Sequence, residues 1–148
     1  MKRQLSLRER ALAMLARREH TRAELARKLG PHAESAGDID ALLDQLVARG
    51  WLSEARFAES RANALTRKFG SRKIEYDLRS RGVSSDLVER TVERARTQEL
   101  ENCRAAWQRK FGALPQDAAE RGRQMRFLAG RGFSAEVVRE VLKAGDAD

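Results

Sequence analysis

Arg67-Lys68-Phe69-Gly70 returns as Arg109-Lys110-Phe111-Gly112, and Arg81-Gly82-Val83-Ser84 returns as Arg131-Gly132-Phe133-Ser134. Beyond the second pair the apolar pattern also repeats, Leu87, Val88 and Val92 answering to Val137, Val138 and Leu142 at the spacing of one helix face. A unit that recurs with its hydrophobic register intact is a structural repeat. The first motif recurs after 42 residues and the second after 50, so the later copy holds about eight extra residues around Leu114 to Arg121. A loop or a longer second helix is expected to absorb them. A fainter copy lies upstream, where Leu25 and Leu29 take the roles of Ile74 and Leu78, and Ile39, Leu42, Leu43 and Leu46 mark a third helix.

Composition agrees with a helical reading. The 148 residues are 35% charged and 5% aromatic, with 2 prolines, and Ala, Leu, Arg and Glu dominate. Ser6 with Glu9, and Thr21 with Glu24, have the spacing of capping boxes. Gly30, Gly50, Gly70, Gly82, Gly112 and Gly132 stand where helices should stop, since glycine adopts the left-handed conformation cheaply. These signals predict helices over 6–19, 21–29, 38–49, 53–69, 71–81, 85–97, 99–111, 116–130 and 134–144, and no strand. The expected fold is all-α, an elongated, curved array of three tandem three-helix units over 1–52, 53–97 and 98–148.

Charge follows the repeat. Net charge is +6 over 1–31, −4 over 32–55, +5 over 56–83, −2 over 84–101, +5 over 102–131 and −2 over 132–148, summing to the overall +8. In each unit the first two helices are basic and the third acidic. Pairing of basic with acidic helices inside the array would produce this alternation by itself. A surplus of cations would still remain in each unit, and stacking the units could align it into a stripe facing a polyanion. The candidate cations are Arg67, Lys68, Arg72, Lys73, Arg79 and Arg81 in the middle unit, with Arg109, Lys110, Arg121, Arg123 and Arg126 at the corresponding corner and insertion of the last.

Other chemistry is poorly represented. Cys103 is the only cysteine, which excludes an intramolecular disulfide and gives no reason to expect an oxidising compartment. His20 and His32 lack a partner set for a metal, and no nucleophile elbow, phosphate-binding glycine loop or paired catalytic carboxylates occur. The expectation is a cytoplasmic protein without catalytic residues, metal or cofactor, and with neither a signal peptide nor a membrane span. Thr21 to Gly30 resembles the start of a helix-turn-helix, but the following helix offers Glu34, Asp38, Asp40 and Asp44, which would repel phosphates. Trp51, Phe57, Phe69, Tyr76, Trp107, Phe111, Phe127 and Phe133 could be stacking platforms for bases. Most lie on apolar faces, and core packing is the better reading, with Cys103 an inert thiol among them.

The run Gly50-Trp-Leu-Ser-Glu-Ala-Arg-Phe-Ala-Glu-Ser-Arg61 resembles the junction between the first and second units of RecX proteins. Lys68-Phe69-Gly70, Ile74, Leu78 and Arg81-Gly82-Val83-Ser84 resemble their central unit, and Phe127-Leu128 with Arg131-Gly132-Phe133 their third. Trp51 stands where Tyr or Phe is commoner, and Ser53-Glu54 where an Asn/Asp-Asp pair is typical. The order and spacing of these motifs, covering nearly the whole chain, carry the resemblance. It implies a monomeric, non-enzymatic regulator acting in homologous recombination, DNA repair and the SOS response. Such a protein binds along the groove of the RecA recombinase filament on single-stranded DNA, meeting the DNA directly or through RecA, and hinders filament growth, ATP hydrolysis, strand exchange and co-protease activity. A helix-turn-helix transcriptional regulator is the alternative.

Overall fold

The computed structural model describes residues 4–143, and among them every regular element is helical. The order is α1 (Leu7–Arg17), α2 (Arg22–Leu29), a 3₁₀ turn (Gly30–His32), α3 (Ala36–Ala48), α4 (Glu54–Leu65), α5 (Ser71–Ser80), α6 (Ser85–Arg96), α7 (Glu99–Lys110), α8 (Ala118–Gly130) and α9 (Ala135–Lys143). Successive triplets close three separate cores. Ala11, Leu25, Leu29, Ile39, Leu42, Leu43, Leu46 and Leu52 form the first. Phe57, Ala58, Ala62, Ile74, Leu78, Val83, Val88 and Val92 form the second, and Cys103, Ala106, Trp107, Leu128, Phe133, Val138, Val141 and Leu142 the third.

Side-chain caps open most of the helices. Ser6, Thr21, Ser35, Ser53 and Asp117 each accept a bond from the backbone N–H three residues on. Ser53 thus caps α4, its hydroxyl accepting from the Arg56 N–H at 3.2 Å. Only half of the second expected capping box forms. Thr21 caps, but the Glu24 carboxylate turns to the Arg18 guanidinium at 3.1 Å and 2.5 Å. That hydrogen bond holds the Glu24 carboxyl down to about 2.

The repeat survives in three dimensions with two departures. Gly82 and Gly132 both take φ in the left-handed region, at 80° and 92°, and end the second helix of their units alike. Gly30 and Gly70 do not. Gly30 continues as right-handed backbone into the 3₁₀ turn, where Pro31 loses nothing by lacking an N–H. Gly70 is extended and forms the N-cap position of α5, and α4 ends at Leu65 rather than at residue 69. The chain leaves the helix early because Gly70 must reach the third unit: its N–H donates to the Arg131 carbonyl at 2.9 Å, and the Arg72 N–H donates to the Gly132 carbonyl at 3.2 Å. A Cβ on Gly70 would lie 2.5 Å from the Gly132 oxygen, so no side chain fits there.

The inserted residues are divided between the connection after α7 and three extra residues in α8, compared with α5. Within α8, Gln124 stands where the second unit has Ile74. Its buried amide accepts from the Trp107 indole at 2.8 Å and donates to the Ala113 carbonyl at 3.1 Å, so the polar core residue is fully engaged.

The second and third units are also joined through Glu99, the first residue of α7 and only 5% exposed. Its Oε1 accepts from the Ser71 N–H at 3.2 Å, the Ser71 hydroxyl at 3.1 Å and the Ser134 N–H at 3.3 Å. One carboxylate therefore binds the N-terminal ends of α5 and α9 together, where helix dipoles favour negative charge. The first unit is tied to the second by surface groups: Arg56 on α4 bonds Glu19 at 2.9 Å and the Gly50 carbonyl at 2.7 Å.

Candidate functional site

Cations gather where the second and third units meet. Lys73 Nζ lies 5.0 Å from the centroid of the Phe69 ring, and the Arg131 guanidinium lies 5.3 Å from the same ring. Arg131 is also 5.0 Å from Phe127, and Lys110 Nζ is 5.4 Å from Phe127. Lys73, Phe69, Arg131, Phe127 and Lys110 thus form an alternating ladder of cation and ring across the junction. Phe111 meets Phe127 edge-on with centroids 5.4 Å apart, closing the apolar backing. Beside the ladder, a guanidinium N–H of Arg109 donates to the Arg67 carbonyl.

Among the described residues, none of Arg67, Lys68, Arg72, Lys73, Arg109, Lys110 and Arg131 has a carboxylate partner within 4.0 Å. Arg72 and Lys73 occupy the first turn of α5, which has no acidic residue there and no side-chain cap. Cations at that end oppose the helix dipole by roughly 0.3–1 kcal/mol each. The Glu99 carboxylate, bonded to the Ser71 N–H at 3.2 Å, supplies the negative charge at that end from outside the helix.

The remaining sequence candidates fall elsewhere. Arg79 bonds Glu75 at 3.1 Å and Ser85 at 3.1 Å, while Arg81 bonds Asp77 at 3.1 Å. Both are neutralised within α5 and its corner. Arg123 lines a separate depression with Phe111, Gln116 and Glu120. The Arg126 guanidinium packs over Gly122, and no contact places Arg121 or Arg126 on the ladder. The two copies of the Arg-Lys-Phe-Gly motif are not in equivalent places. Arg67 and Lys68 lie in the turn after α4, whereas Arg109 and Lys110 are helical residues ending α7. Gly112 is left-handed at φ 71° where Gly70 is extended. Arg109 instead meets the Arg67 carbonyl across the junction.

Arg131 is the residue that sequence reasoning passed over as a helix stop. A signal was present: the 50-residue offset that aligns Arg131 with Arg81 puts Phe127 in place of Asp77. Replacing the neutralising carboxylate by a ring converts a paired arginine into a ladder rung.

Among the described residues, pairing between a basic helix and the acidic third helix occurs only in the first unit, where Arg22 on α2 bonds Asp44 on α3 at 2.8 Å and approaches Asp40 at 3.9 Å. In the second unit the strongest pair joins the two basic helices: Arg61 on α4 holds Asp77 on α5 through bonds of 2.8 Å and 3.0 Å, which depress the Asp77 carboxyl. The helix after the Thr21 turn presents exposed Asp40 and Asp44, not cations.

The other sequence candidates have ordinary roles. Burial, aided by the neighbouring Glu99 charge, pushes the Cys103 thiol up to about 12, leaving it without thiolate at neutral pH. His20 is buried between the Arg18 carbonyl, 3.0 Å from Nδ1, and Lys28 Nζ, 3.2 Å from Nε2, and burial lowers its pKa. Among the described residues no group of three His, Cys, Asp or Glu side chains could hold a metal ion, and no helix is long and apolar enough to cross a membrane. Of the aromatics, Phe57, Trp107 and Phe133 are core residues as expected. Trp51 and Tyr76 are not, being 41% and 77% exposed.

Three tandem three-helix units, the second and third meeting at a cluster of cations, define an all-helical repeat protein. The three units match, in order, the first, second and third three-helix domains of RecX, over residues 8–46, 53–92 and 97–142. The chain belongs to the RecX family. It is 51% identical over 143 residues to the regulatory protein RecX of Leptothrix cholodnii, covering 97% of this chain and 91% of that one. It is 48% identical to the regulatory protein RecX of Chromobacterium violaceum over 97% and 92% of the two chains. The crystal structure of RecX from Lactobacillus salivarius superposes with a TM-score of 0.81 over 96% of each chain, at 16% identity. The architecture therefore persists where few side chains are shared.

Proposed function

We propose that this chain regulates the RecA recombinase by binding its filament on single-stranded DNA and limiting filament growth, ATP hydrolysis and strand exchange. The observation that carries this reading is the cation–aromatic ladder with its unpaired neighbours Arg67, Lys68, Arg72 and Arg109. Lys73, Lys110 and Arg131 are covered on one side by rings, and the whole set lacks carboxylate partners among the described residues, which suits a surface dense in phosphate or carboxylate. The family's regulatory name, and the order of three units along an extended partner, point the same way. A cytoplasmic location, a monomeric state and a lack of enzymatic turnover accompany this role.

The test is RecA ATPase on single-stranded DNA, titrated with the protein. Hydrolysis should fall at amounts well below one molecule per RecA subunit, because blocking growth at few places affects many subunits. Inhibition that begins only when the protein saturates the bare DNA would reduce the effect to competition for the lattice.

A further inference from the structure

Between α4, α5 and the α8–α9 corner lies an open groove of about 560 Å³ lined by Leu65, Phe69, Arg72, Lys73 and Tyr76 on one side and by Ala129 and Gly132 on the other. Its volume lies within the range that holds one nucleotide-sized group. Tyr76 is the most exposed large apolar residue among those described. Its ring has no aromatic or cationic neighbour and its hydroxyl no hydrogen-bond partner among the described residues. Trp51, the other exposed aromatic ring, is already covered by Arg8 and Arg49, each 5.3 Å from its centroid. Tyr76 alone offers a free face.

Charge decides what that face would meet. Asp77 also borders the groove, but its carboxylate is held by Arg61 at 2.8 Å and by Arg81 at 3.1 Å and is neutralised. Arg72 and Lys73 remain uncompensated. A free aromatic face about one helical turn from two unpaired cations is the pairing that binds an unpaired base and its phosphates, because every base can stack while the backbone seeks cations. A duplex would keep its bases stacked on one another and use only the cations.

We infer that the Tyr76 groove is a direct binding subsite for single-stranded nucleic acid, with one base stacked on the Tyr76 ring and its flanking phosphates held by Arg72 and Lys73. The inference rests on the cationic seam facing nucleic acid. It adds the place on the chain where a base is held and the residues that hold it.

Fluorescence anisotropy of the full chain with a labelled oligothymidylate, and with an abasic oligonucleotide of equal length, tests the subsite. Tyr76→Ala should weaken oligothymidylate binding roughly 5- to 150-fold, the usual effect of removing a stacking ring, while leaving the abasic affinity unchanged. Tyr76→Phe should bind both probes as the wild type does. The side chain is exposed, so thermal melts of both variants should match the wild type. No loss on oligothymidylate, an equal loss on both probes, or no binding of oligothymidylate by the wild type would each overturn the subsite. So would a labelled acidic peptide whose binding Tyr76→Ala weakens as much as it weakens that of oligothymidylate, which would assign the groove to a protein segment. Substoichiometric inhibition of RecA ATPase by the wild type would stand in any of these cases, so failure of the subsite is separable from failure of the filament reading.

Discussion

At the residue scale, Gly82 and Gly132 show how identical local sequence acquires different value from its surroundings. Both follow an arginine, both end a helix, and both have left-handed backbone. An alanine at Gly82 would find open space, so it should cost only the left-handed penalty of about 1–2 kcal/mol. An alanine at Gly132 would add a Cβ 2.7 Å from Lys73 Cγ and 2.8 Å from the Lys73 backbone nitrogen. That collision should raise the loss by a further 1–3 kcal/mol or so, since the junction must open to relieve it. Denaturant midpoints of Gly82→Ala and Gly132→Ala measure the difference. Equal losses would mean that the junction is loose. The helix-stop role of both glycines was legible in the sequence, while the second role of Gly132, and the extended state of Gly70, depended on a partner surface far along the chain.

At the element scale, apolar spacing gave the helices and their buried faces: Val88, Val92, Val138 and Leu142 are all buried at the repeat positions that predict it. Spacing did not reveal where α4 ends, because Phe69 continues the apolar period although its backbone has already left the helix. Nor could it separate paired from unpaired cations along α5, where Arg72 and Lys73 are uncompensated and Arg79 is bonded to Glu75. This division makes α5 the element to test. Arg72→Glu with Lys73→Glu should weaken filament binding at least roughly tenfold and flatten its salt dependence, since fewer counterions are released. Stability should change little, because the dipole's preference for carboxylates in the first turn of a helix offsets repulsion from Glu99 and the loss of the Lys73–Phe69 contact. Reversing Glu89 and Glu93 on α6 provides the control. It gives up a weak surface pair with Arg96 at 3.6 Å and should leave filament affinity equal or slightly higher. A double reversal on α5 that binds normally but melts earlier would show that these cations serve the fold.

At the scale of the whole molecule, three small cores are linked in two different ways. The first junction depends on surface bonds from Arg56, and the second on backbone hydrogen bonds and the buried Glu99 carboxylate. The number and order of units could be read from the repeat. Glu99 could not, because in sequence it is one acidic residue among many, and only the approach of two helix ends makes it a clamp. The seam exists because that clamp holds Arg67 against Arg109 and Lys73 against Gly132. The central claim, that this surface is built for a recombinase filament and not for DNA alone, is tested most directly by a binding titration of the protein against single-stranded DNA coated with RecA in the presence of ATP and against the same DNA bare, at one fixed salt concentration. Clear preference for the coated strand is the predicted result; equal or weaker binding to the coated strand would contradict it.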